Sequence, residues 1–546
     1  MTCRPLAPQL PVEILQEIFL SLADLYHPPR PLDSSGQPDW IAVTYVCRYW
    51  RSAALGLPNL WSSITPGLSI SWSRAMMERS APLSMHIDMR IGARYEDGLE
   101  SLAALELLFT APRIRTLRLS GYPDDILSVL HCLRRPSPLE SLNLRVVPNR
   151  EQSVSVNLPE ALFGGEAPYC RRLTFESSVW IRAPRWLLTG ITHLTTSASV
   201  ALHVFLGALR AMPQLEVLCI AHIPIGWRDS VPPGRVPPRR AALPRLSLLS
   251  LRGVAPRHLV TLSSLLNAPP TLRKQLFCST RPIWKWSDLA STFVAMQGLV
   301  PRDSAPGVDD GGLRIARIVG GCTRGSFEVW SRTGSTSASA VAREDALFLF
   351  SINWHLPVHA RSFIANPPPD PFFHLARLCA CLGTARVEHL SVAPETAIEG
   401  TGKASECATD APEVPNVAAK WKALLAKLPS VKTLRLHRGT PACLSVLRAL
   451  SASAGLLPHL QRVSVIESIV RYAAVHSDGT GVAGSGPGSA VASREFVRAN
   501  LGAELVDGVK ERSGLEVVLI RCDVDDEALD ALRKRARVVT CDEPEH

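Results

Sequence analysis

Ten six-residue segments in this chain share one pattern: apolar, two variable residues, apolar, one variable residue, apolar. They are IRTLRL (114–119), LESLNL (139–144), CRRLTF (170–175), ITHLTT (191–196), LEVLCI (215–220), LSLLSL (246–251), VEHLSV (387–392), VKTLRL (431–436), LQRVSV (460–465) and LEVVLI (515–520). Successive starts are 25, 31, 21, 24, 31, 141, 44, 29 and 55 residues apart. Several copies follow the same cue, a proline two residues before the first apolar position: APR before Ile114, MPQ before Leu215, LPR before Leu246, LPS before Val431 and LPH before Leu460. Side chains alternate along a strand, so the last two apolar positions of each copy point into one core.

Between copies lie stretches of helical period, DGLESLAALELLF (97–109), ALHVFLGALRAM (201–212) and AAKWKALLAKL (418–428), each with one apolar face. One strand and one helix cannot close a core, so such units must stack. An α/β domain whose strands share a pattern by chance is the alternative. The shared proline lead-in favours the repeat, and the chain resembles a leucine-rich-repeat protein of the irregular kind. That resemblance implies an α/β solenoid of short parallel strands alternating with helices over residues 97–540. Cys170 and Thr196 stand where aliphatic residues are expected, and the Asn/Cys ladder position is irregular. In the long gap, SFEVWS (326–331) and LFLFSI (347–352) are expected as further strands. Flexible insertions are expected near 226–245, 300–312, 398–416 and 476–493, where Gly, Pro and small polar residues gather.

The first sixty residues follow a different rule. Pro11 suits a first helical position, and Ile14, Leu15, Ile18, Phe19 and Leu22 then hold one apolar face. HPPRPLDSSGQPD (27–39) must be a loop, after which Val43, Val46, Cys47 and Trp50 fall at i, i+3, i+4 and i+7 of an expected second helix. GLPNLW closes the segment with Leu60 and Trp61. So short a segment cannot bury all these groups by itself, so it either caps the first repeat or meets another protein.

The residues LPVEILQEIF, VCRYW and the closing Leu-Trp pair resemble an F-box of the fungal kind, over residues 8–62, with a longer loop between its helices. An F-box docks the Skp adaptor and, through it, a cullin–RING ubiquitin ligase. The resemblance implies adaptor contacts by Leu10, Pro11, Ile14, Leu15 and Ile18 from the first helix. It adds Val43, Val46, Cys47 and Trp50 from the second, with Leu60 and Trp61. Residues 63–96 are then a linker or first cap. The function implied is that of a non-catalytic substrate-recognition subunit whose repeats bind a target protein, with a non-degradative interaction scaffold as the alternative.

Other features narrow the class. There is no basic segment followed by an apolar run and a cleavage site at the N-terminus. The thirteen cysteines include no C-x-x-C, so buried thiols in a reducing compartment, cytosol or nucleus, are expected, with no metal. H-E-x-x-H, G-x-x-x-x-G-K-[ST] and G-x-S-x-G are all missing, so no catalytic residue or cofactor is expected. The net charge is +10, and residues 201–300 hold twelve Arg or Lys against three Asp or Glu. Five of these arginines lie between Gly226 and Arg245, in a solvated loop or a patch for acidic groups.

On each repeat strand the residues alternating with the apolar ones face outward. These include Arg118, Asn143, Arg172, His193, His389, Arg435 and Arg462, the expected target-binding row. Within the hexads that row has four arginines and no acid, pointing to an acidic or phosphorylated target. Neither a membrane nor a nucleic acid is an expected partner.

Overall fold

The computed structural model describes residues 10–25, 38–65, 68–91, 113–133, 138–147, 156–176, 181–197, 201–221, 240–254, 262, 265–269, 272–279, 313–320, 324–331, 348–355, 371–382, 384–393, 417–437, 441–466, 469–470, 501–510, 512 and 514–542. Over these residues the architecture is mixed α/β, with mostly parallel strands and helices alternating along the chain. The chain divides into two units, Met1–Ser250 with Ser264–Leu272, and Leu251–Ser263 with Arg273–His546. No described helix is long and apolar enough to cross a membrane.

The first unit opens with α1 (Val12–Leu25), a 3-10 turn over Asp39–Tyr45, α2 (Arg48–Leu55) and a second 3-10 turn over Pro58–Trp61. The expected single helix through Val43, Val46, Cys47 and Trp50 is not formed. Val43, Thr44 and Val46 are β-branched and disfavour an α-turn. Cys47 is extended, with φ −159° and ψ 171°, and its Sγ accepts the Trp50 N–H at 3.4 Å. The thiol therefore caps α2 instead of riding on it.

Seven parallel strands of one sheet follow: β1 (Ser63–Ile64), β2 (Met85–Ile91), β3 (Ile114–Gly121), β4 (Ser141–Val146), β5 (Arg172–Phe175), β6 (His193–Thr196) and β7 (Val217–Ala221). Each pairs with the next in sequence. The Ser247 and Leu248 N–H groups then donate to the Glu216 carbonyl at 2.8 and 3.0 Å, opening β8 (Leu248–Val254). Residues 63–91, expected as a linker or cap, thus supply two strands and the intervening α3 (Ile70–Arg79).

The hexads align residue for residue. Leu117, Leu142, Leu173, Leu194 and Leu218 form one buried row, and Leu119, Leu144, Phe175, Thr196 and Ile220 the next. The two departures from the aliphatic pattern keep their place inside: Cys170 is 0% exposed and Thr196 2%. The proline cue is a turn. Leu215 donates its N–H to Met212 O at 3.2 Å, and Leu246 donates to Leu243 O at 3.2 Å. Proline at the second position of such a turn holds the required φ, and the residue before it, Met212 or Leu243, is buried as an anchor. Covering helices include α4 (Pro123–Cys132), α5 (Arg185–Thr189) and α6 (Leu202–Arg210), the last burying Leu202, Phe205, Leu206 and Leu209 at helical spacing.

The second unit contains β9 (Arg273–Ser279), β10 (Leu313–Gly320), β11 (Arg324–Ser331), β12 (Phe348–His355), β13 (His389–Ala393), β14 (Thr433–His437), β15 (Arg462–Ile466), β16 (Glu516–Ile520) and β17 (Val538–Asp542). From β13 to β17 the strands are parallel and sequential, and the same Leu-Pro turn recurs as Val431 to Leu428 O and Leu460 to Leu457 O. The expected strand at 326–331 exists but runs backwards: β11 lies antiparallel between β10 and β12. Its helices are α7 (Pro371–Leu382), α8 (Val417–Leu425), α9 (Pro441–Ser451) and α10 (Asp526–Arg533).

The helix expected at 97–109 lies outside the described residues, as do the insertions at 300–312, 398–416 and 476–493. Of 226–245 only 240–245 are described, and there Ala241–Ala242 is a strand paired with Leu266–Asn267, not loop.

Candidate functional site

Two surfaces of the first unit collect most of the residues singled out above. The first is built on α1 and α2. A core of Leu15 and Phe19 on α1, both 0% exposed, packs with Trp50, whose ring centre lies 5.4 Å from that of Phe19. Trp61 is also 0% exposed: its Nε1 donates to Ala54 O at 2.8 Å, Trp40 meets it edge-on at 5.0 Å, and the Arg79 guanidinium stacks at 4.3 Å. Val43 and Leu60 are buried beside them.

With that core complete, large apolar groups remain outside. Ile14 is 48% exposed, Ile18 43%, Tyr45 63%, Val46 56% and Tyr49 38%. Ile14 and Ile18 stand one turn apart on α1. The Tyr49 hydroxyl donates to Leu10 O at 2.9 Å, which sets Tyr49 beside the start of that helix. The eleven residues read as adaptor contacts therefore separate into two sets. Leu15, Val43, Leu60 and Trp61 are buried within the segment; Leu10, Pro11, Ile14, Ile18, Val46, Cys47 and Trp50 are exposed or half-buried. Tyr45 and Tyr49 belong to the exposed set and lay outside the sequence pattern. Their tyrosines flank the Val-Cys-Arg signature and were the available signal.

The second surface is the polar face of the parallel strands. Arg118 pairs with Asn143 in register, and Arg172 with His193. The acid-free reading of this row is corrected by the structure. Arg118 donates to both carboxylate oxygens of Glu176, at 3.3 and 3.2 Å, and its other amino group lies 3.9 Å from Asp88. Asn143 Nδ2 donates to Glu176 Oε1 at 3.1 Å, while its buried Oδ1 has no donor among the described residues. Asp88 comes from a strand, and Glu176 from a strand end, that the hexads do not include. The alternation of Met85, Ile87, Met89 and Ile91 was the signal for the former.

Burial, and then the Arg172 guanidinium, hold the His193 imidazole below its usual range, with Glu216 opposing them. His193 Nδ1 and Thr192 Oγ1 share a 2.8 Å hydrogen bond. In the second unit His389, Thr433 and Arg462 align in one row, and Ser391, Arg435 and Ser464 in the next. Arg462 is again neutralised: its Nε and Nη2 grip the Glu516 carboxylate at 2.7 and 3.1 Å.

No protein-family model matches the chain, and no curated protein matches it in sequence.

Proposed function

We propose that the chain is the substrate-recognition subunit of a Skp–cullin–F-box ubiquitin ligase, with an F-box over 8–62 and an irregular leucine-rich-repeat solenoid beyond it. The observation that carries this reading is the apolar surface left by a segment whose own core is already full. Leu15, Phe19 and Trp61 are wholly buried, yet Ile14, Ile18, Tyr45, Val46 and Tyr49 are not. Several large apolar side chains left exposed on one small helical module are the mark of a partner. Ile14, Ile18, Val46, Cys47 and Trp50, with Leu10 and Pro11, meet the Skp adaptor; Leu15, Val43, Leu60 and Trp61 hold the frame that presents them. The outward faces of the strands bind the target.

The test is capture of the Skp adaptor by the full-length chain carrying Ile14→Asp and Ile18→Asp. Both side chains are about half exposed, so the fold is kept and the unfolding midpoint falls only slightly. Loss of two central apolar contacts costs about 2–4 kcal/mol, roughly 30- to 1,000-fold in affinity. Capture at the wild-type level overturns the reading.

A further inference from the structure

Three arginines on the polar face of the first unit's sheet have guanidiniums with no ion pair or hydrogen bond among the described residues: Arg90, Arg145 and Arg172, all exposed. This is not for lack of carboxylates on the face. Asp88 and Glu176 are there, and both turn to Arg118. Glu176 follows directly on the β4–β5 ladder, its N–H donating to Leu144 O at 3.0 Å, so Arg145 is its neighbour across the strands. Even so, its carboxylate is held by Arg118 and Asn143. Both carboxylates thus lie against Arg118, and neither pairs with Arg90, Arg145 or Arg172, which stay without an ion pair among the described residues. Such an arrangement repels itself until a partner supplies the missing charge.

We infer that this face grips an extended, unmodified acidic segment of a target protein, with Arg90, Arg145 and Arg172 each taking a separate carboxylate. The inference rests on the reading of the strand face as the target-binding surface. Spacing selects the ligand. Arg90 and Arg145 share a row two strands apart, with Ser120 between them, which puts their backbones about 10 Å from each other. An extended chain covers that distance in about three residues. Arg172 lies one further strand across and about four residues back, roughly 13 Å along the strand direction. No hydrogen bond draws the three guanidiniums together, so they stand apart and suit distributed carboxylates rather than one phosphate. A nucleic acid strand fits less well, because Asp88 and Glu176 lie among the cations and would face its phosphates.

The experiment measures binding of the full-length chain to a fluorescent twelve-residue peptide with Glu at every third position. Three comparison ligands are its Gln analogue, a peptide bearing one phosphoserine and no carboxylate side chain, and a twelve-nucleotide single-stranded RNA. The Glu peptide is expected to bind, to weaken at least tenfold in the Arg90→Gln, Arg145→Gln double variant, and to weaken further as salt rises. The Gln analogue is expected not to bind. The inference is overturned if the Glu peptide fails to bind, if the double variant binds it unchanged, or if the phosphoserine peptide or the RNA binds as well. Adaptor capture is followed on the same samples. Peptide binding without adaptor capture removes the ligase reading and leaves the arginine face standing, whereas capture without peptide binding does the reverse.

Discussion

The Tyr49 hydroxyl donates to the backbone carbonyl of Leu10, 39 residues earlier, at 2.9 Å. This bond ties the first turn of α2 to the lead-in of α1.

Tyr49→Phe keeps the ring and removes only that bond. The expected loss is about 0.5–1 kcal/mol, since the group is half-exposed. It is concentrated in the first turn of α1, where Leu15 N–H bonds to Pro11 O at 3.2 Å. Hydrogen exchange at Leu15 should accelerate severalfold while the strand amides are unchanged. Equal protection in the variant and wild type would show that the tyrosine does not order the turn.

Burial pushes the Cys170 thiol up from its ordinary 9.0 to about 12, against the opposing charge of Arg171. The sign follows from linkage. Below pH 9 the thiol is protonated in both folded and unfolded chains, so the stability is present in full. Between 9 and 12 the unfolded chain releases the proton and the folded chain does not, so stability is lost as pH rises. The loss is about 1.4 kcal/mol between pH 8 and pH 10. Cys170→Ala removes this contribution, and its urea midpoint should fall less steeply over that interval than the wild type's. Parallel slopes would refute the assignment.

Gly121 ends β3 where a Cβ would stand 2.2 Å from the Ile91 carbonyl oxygen. Glycine in a strand often marks such a close backbone approach. Gly121→Ala must push β2 and β3 apart, at a cost of about 1–3 kcal/mol. The amide of Val147, bonded to Gly121 O at 2.8 Å, should lose exchange protection first. A variant as stable as wild type would mean that the strand end shifts freely.

The hexads were legible because three apolar positions per strand answer to one core, and in the nine segments from Ile114 to Val465 the last two apolar positions are buried on a strand. The tenth, LEVVLI, is one residue out of register: Val517 and Leu519 are buried, paired with Val463 and Val465, while the expected Val518 and Ile520 fall on the other face, because an apolar run of four fits either alternation. Direction was not legible. Arg324–Ser331 has strand composition either way, and only its pairing with Leu313–Gly320 makes it antiparallel. Nor was the second helix, because i, i+3, i+4 spacing at Val43, Val46 and Cys47 is also met by a 3-10 turn followed by a thiol cap. The polar face was misread for a related reason. The residues alternating within a hexad are visible in sequence, but Glu176 sits one position past its hexad and Asp88 on a strand without one. Pairing of Arg118 with both depends on which strands are neighbours, which no single segment specifies.

The reversed strand β11 has a consequence for how the polypeptide assembles. In the first unit each strand from β2 to β7 pairs with the one just before it in that sheet, so the sheet can grow in order as the chain leaves the ribosome. In the second unit β9 pairs in parallel with β12, and β10 with β13, around β11. Arg273–Ser279 must therefore wait for Phe348–His355 to be synthesised before this partner reaches it, and non-local pairings of this kind are slow to close. Until then β9 lacks the partner on that side, which is the kind of open edge that recruits chaperones or neighbouring chains. Nascent chains halted between β9 and β12 should accordingly be more prone to aggregate than chains halted after β7.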